Sequence, residues 1–206
     1  MSSDTSHAIL PLSLLEAMRN LDTPIDDGLS ELAPELVSKR LGLSTTVASQ
    51  IERYRDAADH GDAIPVDEVV SVFRLVSRRP DAQLVYADAG RRAARYAAKR
   101  AGGQTLLGVS PRPVRRRLGV RLAARVARRM FRAEIRPLGS LAEVRLPDSM
   151  ATRAGADGDG CYFYGALFAE LLRLLSGFEG AMLHDRCRAK GDNTCYWRAA
   201  AVEGYE

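Results

Sequence analysis

The chain of 206 residues has an apolar fraction of 46% and a formal net charge of +4, which are values typical of a globular protein with one buried core. No apolar run approaches the roughly 18–20 residues of a membrane span, and the first residues lack the basic start and apolar centre of a signal peptide. The chain also contains only three cysteines. The sequence therefore favours a reducing cytoplasm over the disulfide framework of a secreted protein.

Charge is distributed unevenly along the chain. Residues 1–70 contain thirteen acids and five bases, whereas residues 89–133 contain fourteen bases and no acid. This asymmetry predicts either an acidic partner for the middle of the chain or neutralisation between its two halves.

The first half of the chain predicts a flexible tail over residues 1–9 and a helical part over residues 10–109. Ser44 can cap one of these helices, in which Val47, Ile51 and Tyr54 recur with helical spacing. Residues 82–86 either extend the helix before them or form a short strand. The predicted helices are 10–21, 26–41, 45–60, 65–79 and 88–101.

The last of these helices has a face of small residues, and two interpretations remain open for it. Either a second helix or a flat ligand could approach this face closely, and tight helix packing is the simpler explanation. The residues of the face are Gly90, Ala93, Ala94, Ala97 and Ala98.

A basic amphipathic helix is predicted from residue 110. Apolar residues and arginines each recur every four positions, which predicts either a solvated face over a core stripe or contact with a carboxylate ligand or an anionic membrane. RNA is disfavoured because no aromatic residues alternate with the arginines, and DNA contact by the acidic first part of the chain is disfavoured as well. The apolar row is Val114, Leu118, Leu122, Val126 and Met130, and the basic row is Arg117, Arg121, Arg125 and Arg129.

The remaining residues, 110–206, predict a mixed core in which four short strands follow this helix. A further apolar helix begins at Cys161. The strands are predicted over 134–136, 143–146, 181–186 and 196–202.

All three cysteines and one histidine lie between residues 161 and 195. Cys161, His184, Cys187 and Cys195 form the set of four ligands that structural zinc prefers, whereas a catalytic zinc usually keeps one position for water. The alternative is that the cysteines are ordinary small core residues and that His184 is a surface residue.

Three segments of this region resemble the 4-vinyl-reductase domain, a small-molecule-binding domain of bacteriochlorophyll biosynthesis and of the sensor modules of aromatic-responsive bacterial regulators. In the sensor branch the corresponding cysteines bind structural zinc together with a glutamate, and His184 stands in the place of that glutamate. The segment PDAQLVYADAGRRAARYAAKR is similar to the bacteriochlorophyll-pathway branch. The three segments are Cys161-Tyr162-x-Tyr164-Gly165, Phe168-x-x-Leu171-Leu172 and Cys187-Arg188-Ala189-x-Gly191-Asp192-x-x-Cys195.

The resemblance implies an α/β (α+β) fold in which an antiparallel sheet is backed by helices, as in the transport-complex subunits of the same architecture. It also implies a structural zinc ion and a tetrapyrrole of the chlorophyllide type, held between the small-residue helix and the helix that begins at Cys161. In this hypothesis the ligand contacts Tyr162, Tyr164 and Phe168, and its propionates pair with Arg117, Arg121 and Arg125.

Two other functions remain open at this point. A stand-alone sensor would enclose a small aromatic molecule with aromatic side chains that are more often plain core. A true reductase would need a hydride source, and neither a nucleotide fingerprint nor a catalytic set is visible, which argues against an enzyme. The expected partners are thus a small hydrophobic ligand, an anionic membrane at the periphery and a second copy of the chain, but no nucleic acid. The aromatic residues of the sensor hypothesis are Tyr162, Phe163, Tyr164, Phe168 and Trp197.

Overall fold

The computed structural model describes residues 4–23, 41–102, 111–138, 141–155 and 158–201. Seven α-helices lie within these ranges, together with two 3-10 turns at Leu41–Leu43 and Arg188–Lys190. The helices are α1 (Ile9–Asp22), α2 (Thr45–His60), α3 (Val66–Ser77), α4 (Ala82–Ala101), α5 (Arg112–Phe131), α6 (Met150–Arg153) and α7 (Cys161–Ser176).

The strands form two antiparallel sheets, so the chain has an α+β fold of the class predicted from its sequence. The small sheet pairs β1 with β2, and the larger sheet has the order β3-β4-β6-β5. The strands are β1 (Thr5–His7), β2 (Ala63–Pro65), β3 (Glu134–Leu138), β4 (Leu141–Leu146), β5 (Gly180–Arg186) and β6 (Cys195–Ala201).

The helix α7 is the central element, and it contacts α4, α5 and β5. Its buried aromatic side chains pack with one another and with Phe73 and Trp197 at ring-centroid distances between 5.1 and 6.3 Å. These distances are those of favourable edge-to-face and offset aromatic pairs. The aromatic residues of α7 in this cluster are Phe163, Tyr164 and Phe168.

The helices α4 and α7 touch along the small-residue face that the sequence indicates. Gly90 is buried there, and a Cβ at this position would overlap the Phe163 carbonyl oxygen and lie 2.9 Å from the Leu167 backbone nitrogen. The face therefore serves helix packing, and the prediction that a flat ring lies between these two helices is wrong, because their backbones already meet.

Several helices begin and end where the sequence predicts. The Ser44 side chain accepts a hydrogen bond from the Val47 backbone N–H and caps α2, and Val47, Ile51 and Tyr54 are buried. The prediction for residues 82–86 is wrong, since they form the first turn of α4. Most of the predicted helix 26–41 lies outside the described residues.

The flexible tail predicted for residues 1–9 is wrong from residue 5 onward. Thr5–His7 pairs with Ala63–Pro65, and α1 begins at Ile9. The Arg132 side chain ties the strand to the end of α5, since it donates hydrogen bonds of 3.0 Å to the Asp4 carboxylate and to the Thr5 carbonyl.

The buried face of α5 differs from the predicted apolar row. Val114 and Leu118 are 45% and 46% exposed, so two of the five residues of the predicted row face solvent. The buried positions are Gly119, Ala123, Val126, Ala127 and Phe131, of which only Val126 belongs to the predicted row. Small residues let α5 approach α7, and this packing selects the buried face over the larger side chains.

No helix in the described part of the chain combines the length and the apolar character that crossing a membrane requires.

Candidate metal centre

The four residues predicted as metal ligands come together at one end of α7. One ligating atom from each of Cys161, His184, Cys187 and Cys195 lies within 4.8 Å of the other three. Helix α7 provides the first, the strand β5 the second, and β6 the last, while Cys187 lies directly after β5. The cluster therefore joins the start of the central helix to the β5–β6 hairpin.

The sulfur separations fit a tetrahedral metal site. Cys161 Sγ lies 3.7 Å from Cys187 Sγ and 4.0 Å from Cys195 Sγ. A zinc–sulfur bond of about 2.3 Å places the sulfurs of a tetrahedron about 3.8 Å apart. The three cysteines are free thiols, and all three side chains are buried. Their spacing is therefore that of ligands around one ion.

Local backbone structure holds the loop between the last two cysteines in this position. The Cys187 carbonyl accepts hydrogen bonds from the backbone N–H groups of Lys190 at 2.9 Å and Asp192 at 3.2 Å. The Asp192 carboxylate in turn accepts the Cys187 N–H at 2.7 Å. Gly191 allows the turn because its φ of +99° is accessible to glycine but strained for other residues. The loop is thus ordered by its own hydrogen bonds.

A bulge in β5 accompanies the placement of the histidine. His184 pairs with Trp197, but Arg186 pairs with Tyr196, so two steps along β5 correspond to one along β6. A β-bulge redirects the side chains beside it. The imidazole stacks on the Trp197 indole at a centroid distance of 4.5 Å and an interplanar angle of 12°. The ring of this exposed ligand is therefore held in place from one side.

Two backbone features favour a thiolate over a thiol in this cluster. The Arg188 backbone N–H donates to Cys195 Sγ at 3.4 Å. Cys161 is the first residue of α7, where the positive end of the helix dipole stabilises a negative charge. Amide donors and a helix N-terminus are common partners of metal-bound sulfur, since they offset its charge.

The thiols also perturb each other. A hydrogen bond from the Cys161 thiol outweighs burial and lowers the pKa of Cys195 to about 4, and the His184 side chain and the Arg188 N–H contribute to the same shift. The contact with Cys195, together with burial, raises the pKa of Cys161. These contacts favour ionisation of Cys195 over that of Cys161, and a bound divalent cation would stabilise thiolates at this position.

The donor set could thus hold a metal ion, and its chemistry is compatible with zinc. Three sulfurs and one imidazole are soft or borderline ligands. Four protein ligands would complete a tetrahedron and leave no position for a reactive water, which is the arrangement typical of structural zinc sites.

Of the three aromatic residues predicted to contact a ligand, Tyr164 alone lines a cavity beside the small sheet. Tyr164 and Phe168 are buried within the aromatic cluster, and the Tyr164 hydroxyl accepts a hydrogen bond of 3.1 Å from the Met150 backbone N–H. Tyr162 is 52% exposed on the opposite side of the same helix turn.

The three arginines predicted to contact a ligand also differ in their surroundings. Arg117 and Arg121 face solvent on α5. Arg125 instead lines a groove of about 470 Å³ between α5, the end of α4 and the small sheet.

His7 also lines this groove, and the sequence interpretation assigned it to the tail. The pairing of β1 with β2 places it there, and that pairing joins segments about sixty residues apart. The local sequence gives only one hint of this contact, which is that an isolated histidine stands just before an apolar helix.

Comparisons of the chain with family profiles, curated proteins and solved structures find no match.

Proposed function

We propose that the chain is a small-molecule-binding domain of the 4-vinyl-reductase family, with a structural zinc ion held by Cys161, His184, Cys187 and Cys195. The observation that carries the proposal is the meeting of these four ligating atoms within 4.8 Å. The four-stranded antiparallel sheet backed by helices supports it too, since this is the architecture that the family resemblance implies.

The zinc ion contributes to folding in this proposal. Its ligands belong to the start of α7 and to the β5–β6 hairpin, which are elements separated by most of α7 in the sequence. A metal ion that binds only when these elements are assembled stabilises the folded state by its binding free energy.

The ligand that we propose is a tetrapyrrole of the chlorophyllide type, and the protein would serve bacteriochlorophyll biosynthesis as an accessory binding protein. Such a ligand combines a large apolar ring with carboxylates. The surface around Arg125 supports this pairing, because it brings arginines next to apolar side chains in one concave groove.

Two measurements test the proposal in sequence. Native mass spectrometry and elemental analysis of the purified chain should find one zinc ion per chain, and removal of zinc should lower the unfolding temperature. Absorption titration with a magnesium porphyrin should then give a saturable spectral shift.

The possible outcomes separate the metal from the ligand. Absence of zinc binding would remove the metal centre, and absence of a porphyrin shift would remove the tetrapyrrole. Thermal shift with phenols in parallel distinguishes an aromatic sensor, since that function predicts stabilisation by phenols and none by porphyrins. Reduced vinyl groups on the pigment, formed with an added reductant, would instead show a reductase.

A further inference from the structure

A groove runs between α5, the end of α4 and the small sheet, and no cysteine lines it. It consists of two adjoining cavities of about 470 Å³ and 280 Å³ that share His7, Gly61, Arg129 and Met130. The larger volume lies within the range of about 300–1,000 Å³ that is usual for small-molecule sites. We refer to both cavities together as the basic groove.

The larger cavity has a strong positive charge. Arg100, Arg125 and Arg129 line it, and none of its described lining residues is a carboxylate. Arg125 and Arg129 form no ion pair with any residue in the described ranges. No side chain in the described part of the protein therefore neutralises their charges, in contrast to Arg132 at the end of the same helix, which pairs with Asp4.

Arg100 is held in place beside the other two arginines. Its guanidinium donates a hydrogen bond of 2.5 Å to the Ala58 carbonyl, which leaves further N–H groups of the planar guanidinium for another acceptor. A guanidinium that is fixed by one neutral partner is well suited to bind a carboxylate, because it keeps its full charge and its geometry is preset.

His7 adds a neutral donor to this cationic wall. The Ile9 backbone N–H donates to His7 Nδ1 at 3.2 Å, so Nδ1 is an acceptor and the ring proton lies on Nε2. Burial and the nearby Arg100 lower the pKa of His7, which keeps the ring neutral. No residue in the described ranges accepts a hydrogen bond from Nε2. Because this nitrogen carries the proton, it is a hydrogen-bond donor and not a metal ligand.

Apolar side chains complete the surface between the charged groups. Leu122, Val126 and Met130 of α5 line the larger cavity, and Leu10 lines the smaller one. The two carboxylates of the basic groove, Asp62 and Asp148, line only the smaller cavity. The groove therefore has an end that attracts anions and apolar walls that continue away from it.

We propose that the basic groove is the ligand site of this protein, and that it binds an amphipathic carboxylate through Arg100, Arg125, Arg129 and the His7 Nε2–H. The apolar body of the ligand lies against Leu122, Val126 and Met130. The identification of this apolar body as a tetrapyrrole rests on the proposed function. A concave groove suits a discrete molecule better than a flat bilayer surface.

The test uses the full chain and three probes. Mesoporphyrin IX has two carboxylates, its dimethyl ester has none, and cis-parinaric acid is a fluorescent carboxylate without a ring. The groove variant combines Arg125→Gln and Arg129→Gln. The matched control combines Arg117→Gln and Arg121→Gln, which remove two exposed charges from the same helix outside the groove. Circular dichroism and unfolding temperature verify that both variants remain folded.

We expect the diacid to bind at least about tenfold more tightly than the ester, because each charge-assisted hydrogen bond contributes about this factor or more. The groove variant should lose at least about tenfold in affinity for the diacid. The control should bind the diacid as the unmodified chain does.

Each of the other outcomes tests the groove proposal and the tetrapyrrole function separately. Porphyrin binding that depends neither on the carboxylates nor on the groove variant overturns the groove and leaves the tetrapyrrole function standing. Parinaric acid binding that the groove variant abolishes, without porphyrin binding, supports the groove and overturns the tetrapyrrole. Equal losses in the groove and control variants show a general charge effect and overturn the groove. Failure of all three probes to bind overturns both.

Discussion

Replacing Cys161 by serine isolates the contribution of the metal from that of core packing. The substitution keeps nearly the same volume at a position that is 2% exposed, but it replaces a thiolate ligand by a hydroxyl. Because Cys161 is the only one of the four ligands that belongs to α7, its loss removes the link that a metal ion would make between the central helix and the hairpin.

The magnitude follows from linkage between metal binding and folding. A metal ion that binds the folded chain alone, at a free concentration a thousandfold above its Kd, stabilises that chain by about 4 kcal/mol. For a chain of this size, such a change corresponds to an unfolding temperature about 10 °C lower in the variant. The hydroxyl itself adds a smaller cost of about 1 kcal/mol, since it is a buried polar group.

The assay is thermal unfolding of both proteins, first with buffered free zinc and then with a chelator. We expect the difference of about 5 kcal/mol in zinc to shrink to about 1 kcal/mol with chelator, because chelation removes the stabilisation that only the unmodified chain receives. The reasoning is refuted if zinc does not stabilise the unmodified chain, or if it stabilises the variant equally.

Three further predictions concern contacts away from the metal centre. Gly90→Ala should destabilise the chain by about 1–3 kcal/mol in urea unfolding, because the added methyl group overlaps backbone of α7. The control Gly165→Ala, whose Cβ meets Trp197 only at 3.5 Å, should be neutral or stabilising by up to about 1 kcal/mol. Equal effects of the two substitutions would contradict the packing described. Arg79→Met should cost about 2–3 kcal/mol at pH 7, since it removes the bonds of 2.7 and 3.0 Å that Arg79 donates to the Asp22 carboxylate and its ion pair with Asp81. Burial opposes ionisation of Asp22, but the bonds from Arg79 and from a backbone N–H outweigh burial and lower the pKa of Asp22. The cost of the substitution should therefore persist above about pH 4 and decline as the pH falls through the folded-state pKa of Asp22. A cost that does not change with pH would refute the pairing. Tyr164→Phe should cost about 1–3 kcal/mol in the same assay, because the backbone N–H that donates to the hydroxyl loses its acceptor, and a cost near zero would contradict the hydrogen bond.

The metal centre could be predicted from the sequence because metal affinity is a property of side-chain type. Three cysteines and His184 are ligands wherever they meet, and the Gly191-Asp192 pair marks the turn that brings the last two cysteines together. The geometry then depended only on α7 lying against the hairpin, which follows from the apolar length of that helix.

The basic helix shows where periodicity misleads. Large apolar residues at every fourth position predicted a buried row, yet Val114 and Leu118 lie in solvent. The helix buries Ala123 and Ala127 instead, because small residues allow a closer approach to α7 than leucine would. A hydropathy pattern gives most weight to large apolar side chains. It does not show that small residues on one face allow two helix axes to lie close together.

The basic groove could not be predicted for a different reason. It brings together His7, Arg100 and Arg129, which belong to three elements far apart in the sequence. Each residue in isolation is typical of a surface, and the pairing of β1 with β2 is what positions His7 beside the two arginines. Sites of this kind depend on tertiary structure, and composition reports only that positive charge exists in the middle of the chain.

The stacking of His184 on Trp197 gives the protein an optical property of its own. Trp197 is the only tryptophan of the chain, and its indole lies 4.5 Å from the imidazole of a metal ligand. Indole emission is sensitive to the charge and rigidity of such a neighbour, so loading and loss of the ion should be visible in native fluorescence without any label. A single cuvette measurement can thereby follow metal exchange in the intact molecule in real time.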